Sequence, residues 1–494
     1  MSEPLLLLGI DIGTSSAKGL LATPDGEVVA TAVHEHALSL PRPGWAEHDA
    51  EEVWWQGVLA LCGELVPAAG GALAGVCVSG IGPCVVPCDA SVKPLRPAIL
   101  YGIDTRATAE IAELEDRFGA DAILARGGSV LSSQALGPKL LWLRRHEPDV
   151  WSRTAAWHMA SSFVVARLTG EYVLDRHSAS QCDPLYDMAA EDWAADWASE
   201  VCGDVPLPSL AWPGEIVGAV HAAGAQATGI PAGTPVMAGT IDAWAEAFSV
   251  GVRRPGDLML MYGSTMFLVE VAEAAEPHPG LWLTAGVEPG SLSLAAGMAT
   301  SGSLAAWLRS LAGGVDYGQL VAEAADSPVG ARGLVALPYF AGERSPLFDP
   351  DARGVIAGLT IAHTRGDLFR AVYEAIGYGI RHILETFAAA GATPQRIVAV
   401  GGGTRDDLWT RVVSDICRLR QTVPEQTIGA CYGDALLAAI GTGLVAARTD
   451  WTRARSEVAP NDANADAYDE LYDLYRRLHG ATSEIQHALS ALGS

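Results

Sequence analysis

The chain of 494 residues is poor in cationic side chains, since 32 Lys and Arg stand against 58 Asp and Glu, for a formal net charge of −26. Such a charge disfavours nucleic acids and anionic membranes as partners, although a local turn and a metal can still hold an anionic nucleotide. The eight cysteines show no C-x-x-C and no Cys/His ligand spacing. This argues against disulfides or a zinc site and predicts buried thiols in a reducing cytoplasm.

Long apolar runs are also lacking. The run near the start, residues 5–8, is far too short for a signal peptide or a membrane span. Neither the P-loop pattern G-x-x-x-x-G-K-[ST] nor the dinucleotide pattern G-x-G-x-x-G occurs, and no helix-turn-helix segment is evident. With 49% apolar and 18% charged residues, the chain is predicted to be a globular enzyme with two or more large domains.

The opening stretch GIDIGTSSAKGLL, residues 9–21, joins two strand-like runs through small and hydroxyl residues. Gly13 permits backbone angles that let N–H groups converge on an anion, and Thr14 and Ser15 add hydroxyls. Lys18 adds a charge suited to phosphate, whereas Asp11 would repel phosphate unless a divalent cation lay between them. The stretch therefore predicts a hairpin that holds nucleotide phosphates and Mg²⁺; the alternative is a plain hairpin with an exposed Asp and Lys.

Strand-like runs alternate with helical stretches, which predicts an α/β class. The predicted strands include residues 26–32, 75–78, 235–239, 258–262 and 397–400, and the predicted helices include residues 50–65, 105–118, 139–146, 364–387 and an acidic C-terminal stretch. The helix at 364–387 has apolar residues at three-and-four spacing, and Thr364 with Asp367 resembles a capping box.

Residues 256–272 repeat the opening plan of strand, small-residue turn and strand. Gly263, Ser264 and Thr265 stand where Gly13, Thr14 and Ser15 stood. Two similar domains could then hold phosphates with two hydroxyl-rich turns. Chance similarity is the alternative, because Gly-Ser turns are common in hairpins.

Asp242 follows a predicted strand and precedes a helical stretch. Ligand sites in α/β sheets lie beyond the carboxyl ends of strands, so Asp242 could accept the proton of a hydroxyl that attacks a γ-phosphoryl group. The alternative is a helix cap. Gly401, Gly402 and Gly403 likewise suit a nucleoside pocket or a simple tight turn.

Several motifs resemble the FGGY family of carbohydrate kinases, over about residues 5–445. The most specific is GVIAGLTIAHTRGDLFRAVYE, residues 354–374, which fits the family's second signature. KLLWLRRH at 139–146 fits the latter half of the first signature, although Gln134 and Leu136 depart from its start. LPYFAGERSPLFDPDARG and PGWAEHDAEEVWW are also similar to family segments.

The resemblance implies an α/β fold with two ribonuclease-H-like (actin-like ATPase) domains flanking a central catalytic cleft, here residues 1–247 and 248–494. It implies ATP as donor and Mg²⁺ as cofactor, with Asp242 as catalytic base and Asp11 as the metal aspartate. The nucleotide-binding positions that it implies are Gly13, Thr14, Ser15 and Lys18 in the first phosphate loop, Gly263, Ser264 and Thr265 in the second, Gly401, Gly402 and Gly403 at adenosine, and Gly433 in YGDALLAA.

On the substrate side the chain is most similar to the xylulokinase branch of the family but departs from it at two positions. Pro83 stands where that branch has a sugar-contacting His, and Ala243 where it commonly has Asn. A buried polar group that is left without a hydrogen-bond partner costs about 1–3 kcal/mol. Because the two polar side chains are missing here, the sequence argues against xylulose being bound in the way that is usual for that branch. Asp104 and Arg106 match substrate-side positions if one extra residue is allowed, the alternative being an exposed ion pair. Trp45 and Glu47 are further candidates for the same pocket, with packing as the alternative for Trp45.

The predicted activity is transfer of the ATP γ-phosphoryl group to a small sugar, with a ketopentose such as xylulose as first candidate. Ribulose, erythritol and glycerol remain alternatives. Rivals from other classes are an actin-like or chaperone-like ATPase and a sugar sensor that has lost catalysis. The expected partner is a small sugar or polyol, and the oligomeric state stays open, a homodimer included.

Overall fold

The computed structural model describes residues 5–493, and within them the chain forms 23 strands and 16 α-helices. The strands are β1 Leu6–Ile12, β2 Ser16–Ala22, β3 Val28–Glu35, β4 Glu47–His48, β5 Leu73–Gly80, β6 Val86–Cys88, β7 Ala98–Ile99, β8 Ala156–His158, β9 Val173–Asp175, β10 Tyr186–Asp187, β11 Asp192–Trp193, β12 Ser209–Ala211, β13 Ile216–Ala219, β14 Pro235–Met237, β15 Asp257–Tyr262, β16 Met266–Ala272, β17 Trp282–Ala285, β18 Leu292–Met298, β19 Val335–Leu337, β20 Val355–Ala357, β21 Arg396–Val400, β22 Gln421–Pro424 and β23 Ala454–Val458.

The α-helices are α1 Gln56–Ala68, α2 Thr108–Phe118, α3 Ala120–Gly127, α4 Gly137–His146, α5 Pro148–Trp151, α6 Ala160–Thr169, α7 Arg176–Ala179, α8 Ala195–Cys202, α9 Ala222–Thr228, α10 Asp242–Ser249, α11 Gly302–Leu311, α12 Tyr317–Asp326, α13 Arg365–Ala389, α14 Asp407–Cys417, α15 Ala430–Gly441 and α16 Ala465–Gly493. A π-helical turn, Ala50–Trp55, precedes α1, and 3₁₀ turns occupy Gly402–Arg405 and Asp462–Asn464.

The described residues divide into two compact units. The first comprises residues 5–253, Leu283–Leu292 and Ile428–Thr452, and the second comprises Arg254–Trp282, Ser293–Thr427 and residues 453–493. The predicted boundary between residues 247 and 248 lies close to the first crossing at residue 253. The two later returns to the first unit were not part of that prediction, and one of them places α15 in the first unit.

The first unit is built on a six-stranded sheet in the order β13-β14-β5-β1-β2-β3. Strand β1 pairs antiparallel with β2 and parallel with β5. Because successive side chains of a strand point to opposite faces, Leu6, Leu8, Ile10 and Ile12 enter the larger core, while Leu7 enters a smaller core shared with α15. Asp11 belongs to the Leu7 face.

Helix α15 lies close to β1 and α10 because glycines stand at the contacts. A Cβ on Gly9 would lie 1.9 Å from the carbonyl oxygen of Cys431. A Cβ on Gly433 would lie 2.0 Å from the carbonyl oxygen of Ala245. Only glycine fits at either position, so the sequence determines how closely these elements approach.

The second unit contains a sheet whose strands β18-β16-β15-β21-β22-β23 run in that order. Strands β15 and β16 form an antiparallel hairpin, and β15 pairs parallel with β21. This is the plan of β1, β2 and β5, so the predicted structural echo is confirmed. The predicted capping box also forms at α13: Asp367 N–H donates to Thr364 Oγ1 at 3.3 Å, and Thr364 N–H donates to Asp367 Oδ2 at 2.9 Å.

Most predicted elements are present, with shifted ends. The strand expected at 26–32 is Val28–Glu35, and the helix expected from residue 50 begins as a π-helical turn that Asp49 caps by accepting from two backbone N–H groups. All eight cysteines are free thiols, seven of them buried. Across residues 5–493 no helix is both long and apolar enough to cross a membrane.

Candidate active site

The first predicted phosphate turn is the connection between β1 and β2. Gly13 N–H donates to the carbonyl of Ser16 at 2.9 Å, which closes the hairpin. Within residues 5–493 the N–H groups of Thr14 and Ser15 have no acceptor. Lys18 is exposed and pairs in register with Asp11 across the two strands. The turn therefore offers free N–H groups, two hydroxyls and one ammonium to an anion.

Asp11 lies at the end of β1 and is buried. Its Oδ1 atom has no hydrogen-bond partner among the described residues. Burial, and then the negative charge of Asp242, raises the pKa of the Asp11 carboxyl to about 8, against a smaller opposing effect of Lys18. A buried oxygen without a donor is costly, and a cation is the natural partner for it.

Asp242 is the first residue of α10, at the end of the segment that follows β14. Gly80 N–H donates to the carbonyl of Thr240 at 3.2 Å, which fixes this segment beside the end of β5. The N-cap residue is Ile241 and not Asp242, but Asp242 Oδ1 does accept from a first-turn N–H of the helix, that of Ala243, at 2.8 Å. The helix N-terminus favours the charged carboxylate, whereas burial raises its pKa.

Two more carboxyl groups of this region were missed in the sequence. Glu246 stands four residues after Asp242, on the same face of α10, and burial with the charge of Asp242 raises its pKa to about 7. Asp434 of α15 is fully buried, and its Oδ2 accepts from the Ser79 hydroxyl at 2.6 Å. The four-residue spacing could have indicated Glu246, but nothing local in the sequence indicates Asp434.

These groups fit a Mg²⁺ ion that is held mostly by non-protein oxygens. No cluster of three His, Cys, Asp or Glu side chains suited to a metal occurs within residues 5–493. Asp11 supplies an unpartnered buried carboxylate oxygen, and Mg²⁺ commonly combines one or two carboxylates with waters and phosphate oxygens. The donor set therefore suits a metal that arrives with a nucleotide.

The second predicted phosphate turn connects β15 and β16 in the other unit. Ser264 and Thr265 are exposed. The carbonyl of Ser264 accepts from Ser301 N–H and Ser303 N–H at 3.0 Å each, and from the Ser303 hydroxyl at 2.8 Å. Gly302 N–H donates to the carbonyl of Gly263 at 3.0 Å. The turn is thus fixed against the start of α11.

The three glycines at 401–403 follow β21, and the last two of them, Gly402 and Gly403, border a cavity of about 720 Å³ within the second unit. Gly401 has a φ of +90°, which favours glycine. A Cβ on Gly402 would meet nothing within 4 Å, whereas one on Gly403 would lie 2.7 Å from the Trp409 ring. The cavity is of a size and lining suited to a small organic ring. Its walls include Tyr262, Gly263, Ser264, Tyr317, Gly402, Gly403 and Trp409.

Asp104 and Arg106 form a buried ion pair, so the alternative of an exposed pair is wrong. Arg106 Nη2 donates to Asp104 Oδ2 at 2.7 Å, and Arg106 Nη1 lies 2.9 Å from Glu47 Oε1. The Arg106 guanidinium stacks 3.8 Å from the ring centroid of Trp45. Asp104 Oδ2 also accepts from Ala46 N–H at 2.7 Å. Both carboxylate oxygens of Asp104 accept hydrogen bonds, so the ion pair stabilises this loop.

Two further predicted positions lie in packed surroundings. Pro83 is buried and follows a cis peptide bond with Gly82. Gly433 is buried inside α15 with its Cα turned to α10. A direct contact of either residue with a ligand stays a prediction.

The first unit has a buried acid beside a hydroxyl-rich turn. The second unit has another such turn and a cavity of a size suited to a ring. These features are typical of a phosphotransferase. Comparison with known proteins agrees. Models of the "FGGY family of carbohydrate kinases" match residues 6–249 as the N-terminal domain and residues 258–442 as the C-terminal domain. The chain belongs to this family, whose members use ATP as phosphate donor, and it is a sugar phosphotransferase. The actin-like and chaperone-like alternatives are thereby excluded.

Individual relatives carry two different substrate names. The xylulose kinase of Escherichia coli K12 is 32% identical over 445 residues, which cover 88% of this chain and 90% of that protein. The glycerol kinase of Nocardia farcinica is 30% identical over 466 residues, 90% of this chain and 92% of that protein. The crystal structure of xylulose kinase from Rhodospirillum rubrum superposes with a TM-score of 0.91 at 34% identity, covering 98% of this chain and 100% of that chain.

Proposed function

We propose that this chain transfers the γ-phosphoryl group of MgATP to a hydroxyl of a small ketose, with xylulose as the first candidate and Asp242 as the base. The observation that carries the proposal is the buried, unpartnered Oδ1 of Asp11 at the end of β1, directly before the turn whose Thr14 and Ser15 N–H groups are free among the described residues. The similarity to xylulose kinases over nearly the whole chain supports the choice of sugar.

Asp242 would accept the proton of the attacking hydroxyl. Its Oδ1 accepts from Ala243 N–H, which leaves Oδ2 for that proton. The sugar oxygen then bonds to the γ-phosphorus while the bond to the bridging oxygen breaks and ADP leaves. The N–H groups of Thr14 and Ser15 and the ammonium of Lys18 would offset the phosphate charge.

Mg²⁺, when bound, would neutralise phosphate charge, and Asp11 Oδ1 would hold it. In the second unit, Gly263, Ser264 and Thr265 would bind further phosphate oxygens. Gly401, Gly402 and Gly403 would receive the adenosine. Asp104 and Arg106 would support the sugar side by holding their loop, and Gly433 would act through the packing of α10.

Coupled ADP release with xylulose, ribulose, erythritol and glycerol tests this proposal. Asp242→Asn should retain ATP binding and lower kcat by at least about 10²-fold, because general bases contribute 10²–10⁴-fold. Asp149→Asn is the matched control, an exposed carboxylate in the first turn of α5. Undiminished turnover by Asp242→Asn would remove Asp242 from the base role, and silence toward all four substrates would refute the proposed substrate class.

Glycerol is the second candidate. The Nocardia relative named glycerol kinase is nearly as similar as the E. coli xylulose kinase. Pro83 and Ala243 also lack the polar atoms that the xylulokinase branch commonly has there. Faster turnover of glycerol than of any ketose would select this candidate.

A further inference from the structure

A side-chain hydrogen bond links the first phosphate turn to a distant loop. Thr14 Oγ1 lies 2.8 Å from the Tyr101 hydroxyl, although the residues are 87 positions apart in the chain. Thr14 is half-buried in the turn between β1 and β2, and Tyr101 is half-buried at the start of the loop that carries Asp104. Both side chains belong to the first unit.

The loop that begins at Tyr101 is held by several hydrogen bonds. Gly102 N–H donates to the carbonyl of Ser133 at 3.1 Å, and the Ser133 hydroxyl donates back to the carbonyl of Gly102 at 2.6 Å. The buried ammonium of Lys139 donates to the same Ser133 carbonyl and to that of Ala135, the latter at 3.2 Å. On the other side Asp104 accepts from Ala46 N–H at 2.7 Å. The phenol is therefore presented to Thr14 from a fixed backbone.

Either hydroxyl can donate in this hydrogen bond, and the relative acidity of the two groups favours Tyr101 as the donor. A phenol, with an ordinary pKa of about 10, is a better hydrogen-bond donor than the far less acidic aliphatic hydroxyl of threonine. The favoured arrangement has Tyr101 as the donor and Thr14 Oγ1 as the acceptor. The proton of the Thr14 hydroxyl then points away from Tyr101 and is available to another acceptor, on the turn whose neighbouring N–H groups are also free.

We propose that Tyr101 is a positioning residue: its hydroxyl orients the Thr14 hydroxyl as a donor to the phosphoryl group in transfer. This inference rests on the proposed function, in which Thr14 faces the nucleotide phosphates. Because preorganised donors act most strongly on the charge that develops in the transition state, loss of the Tyr101 hydroxyl lowers kcat more than it changes the KM of ATP or sugar.

A double-mutant cycle tests the link. Tyr101→Phe keeps the ring, and we expect its kcat to fall about two- to tenfold, the range that one net hydrogen bond supplies, with both KM values within about twofold of wild type. Thr14→Val removes the acceptor and lowers kcat further. In the Thr14→Val background Tyr101→Phe has no additional effect, whereas in the Thr14→Ser background, which keeps the hydroxyl, its effect persists.

Tyr172→Phe is the matched control. The Tyr172 hydroxyl donates to the carbonyl of Pro206 at 3.0 Å in the same unit, away from the turn, so its kcat should equal that of wild type. Melting temperatures within a few degrees of wild type establish that every variant is folded.

The outcomes separate the two ideas. Effects of Tyr101→Phe and Thr14→Val that add independently, or a kcat of Tyr101→Phe equal to wild type, overturn the role of Tyr101 while the kinase proposal stands. Full turnover by Thr14→Val also overturns the role of Tyr101, because the Thr14 hydroxyl then does not contribute to transfer of the phosphoryl group. A wild-type protein that binds ATP but phosphorylates no sugar or polyol refutes the proposed function, and the positioning role falls with it.

Discussion

Gly433→Ala should both destabilise the protein and slow catalysis, without a change in ATP affinity. The new Cβ would lie 2.0 Å from the carbonyl oxygen of Ala245, and ordinary contact begins at 3.4 Å. Helices α10 and α15 would have to separate by about 1.4 Å, the difference between those distances. Because Asp242 begins α10, the base would move with its helix.

The magnitudes follow from two general costs. Overpacking of this kind destabilises by about 1–3 kcal/mol, which urea denaturation would measure as a lower midpoint. A displacement of about 1 Å at a catalytic group can cost about 10²-fold in rate, which steady-state kcat would measure. The Kd of ATP should stay near the wild-type value, since the displaced helix carries the base and none of the proposed nucleotide contacts.

Gly63→Ala in α1 is the matched control, because its Cβ would meet nothing within 4 Å. There the better helix propensity of alanine should stabilise by about 0.5–1 kcal/mol and leave kcat unchanged. If Gly433→Ala were as stable and as active as Gly63→Ala, the packing argument would be refuted. If it weakened ATP binding alone, Gly433 would instead contact the nucleotide directly.

Three further predictions concern charge and space. The pKa of Asp11 in the folded protein is raised to about 8. Protonated Asp11 therefore makes its full contribution to stability below about pH 4, and this contribution is lost as the pH rises through about 8. Asp11→Asn should flatten the decline of Tm between pH 5 and 8.5, and an unchanged slope would contradict this. Asp104→Ala should lower the free energy of unfolding by about 1–3 kcal/mol in urea, because Arg106 keeps Glu47 but loses its second carboxylate partner, and Ala46 N–H loses its acceptor; a loss below about 0.5 kcal/mol would count against the buried pair. Gly402→Val should raise the Kd of ATP with Tm unchanged, since its side chain would enter the 720 Å³ cavity; unaltered ATP affinity in calorimetry would move the nucleoside elsewhere.

Local patterns in the sequence were sufficient for much of the fold. The hairpins at residues 9–21 and 256–272, the capping box at Thr364 and the long helix α13 each depend on residues within a few positions of one another. The placement of Asp242 beyond β14 was predictable for the same reason, because strand, turn and helix follow directly in the chain.

Features that depend on distant residues could not be predicted. An exposed ion pair stayed an open alternative to a sugar-side role for Asp104 and Arg106, because their partner Glu47 lies more than fifty residues upstream. The burial of Asp434, and the membership of α15 in the first unit, follow from packing against strands more than 350 residues earlier. In the sequence, such contacts are indicated only by glycines such as Gly9. The structure explains why Gly9 has no side chain, because the backbone of Cys431 lies against it.

Because α15 belongs to the first unit, that unit cannot complete its packing until α15 has been synthesised. Between Arg253 and the end of α15 at Gly441 the ribosome adds 188 residues, which takes about 10–40 s at about 5–20 residues per second. During that interval Leu7, Leu20, Cys77 and Met237 lack the helix that covers them in the finished protein. The nascent first unit therefore exposes an apolar face during this interval. A fragment that ends at residue 253 would keep that face exposed permanently.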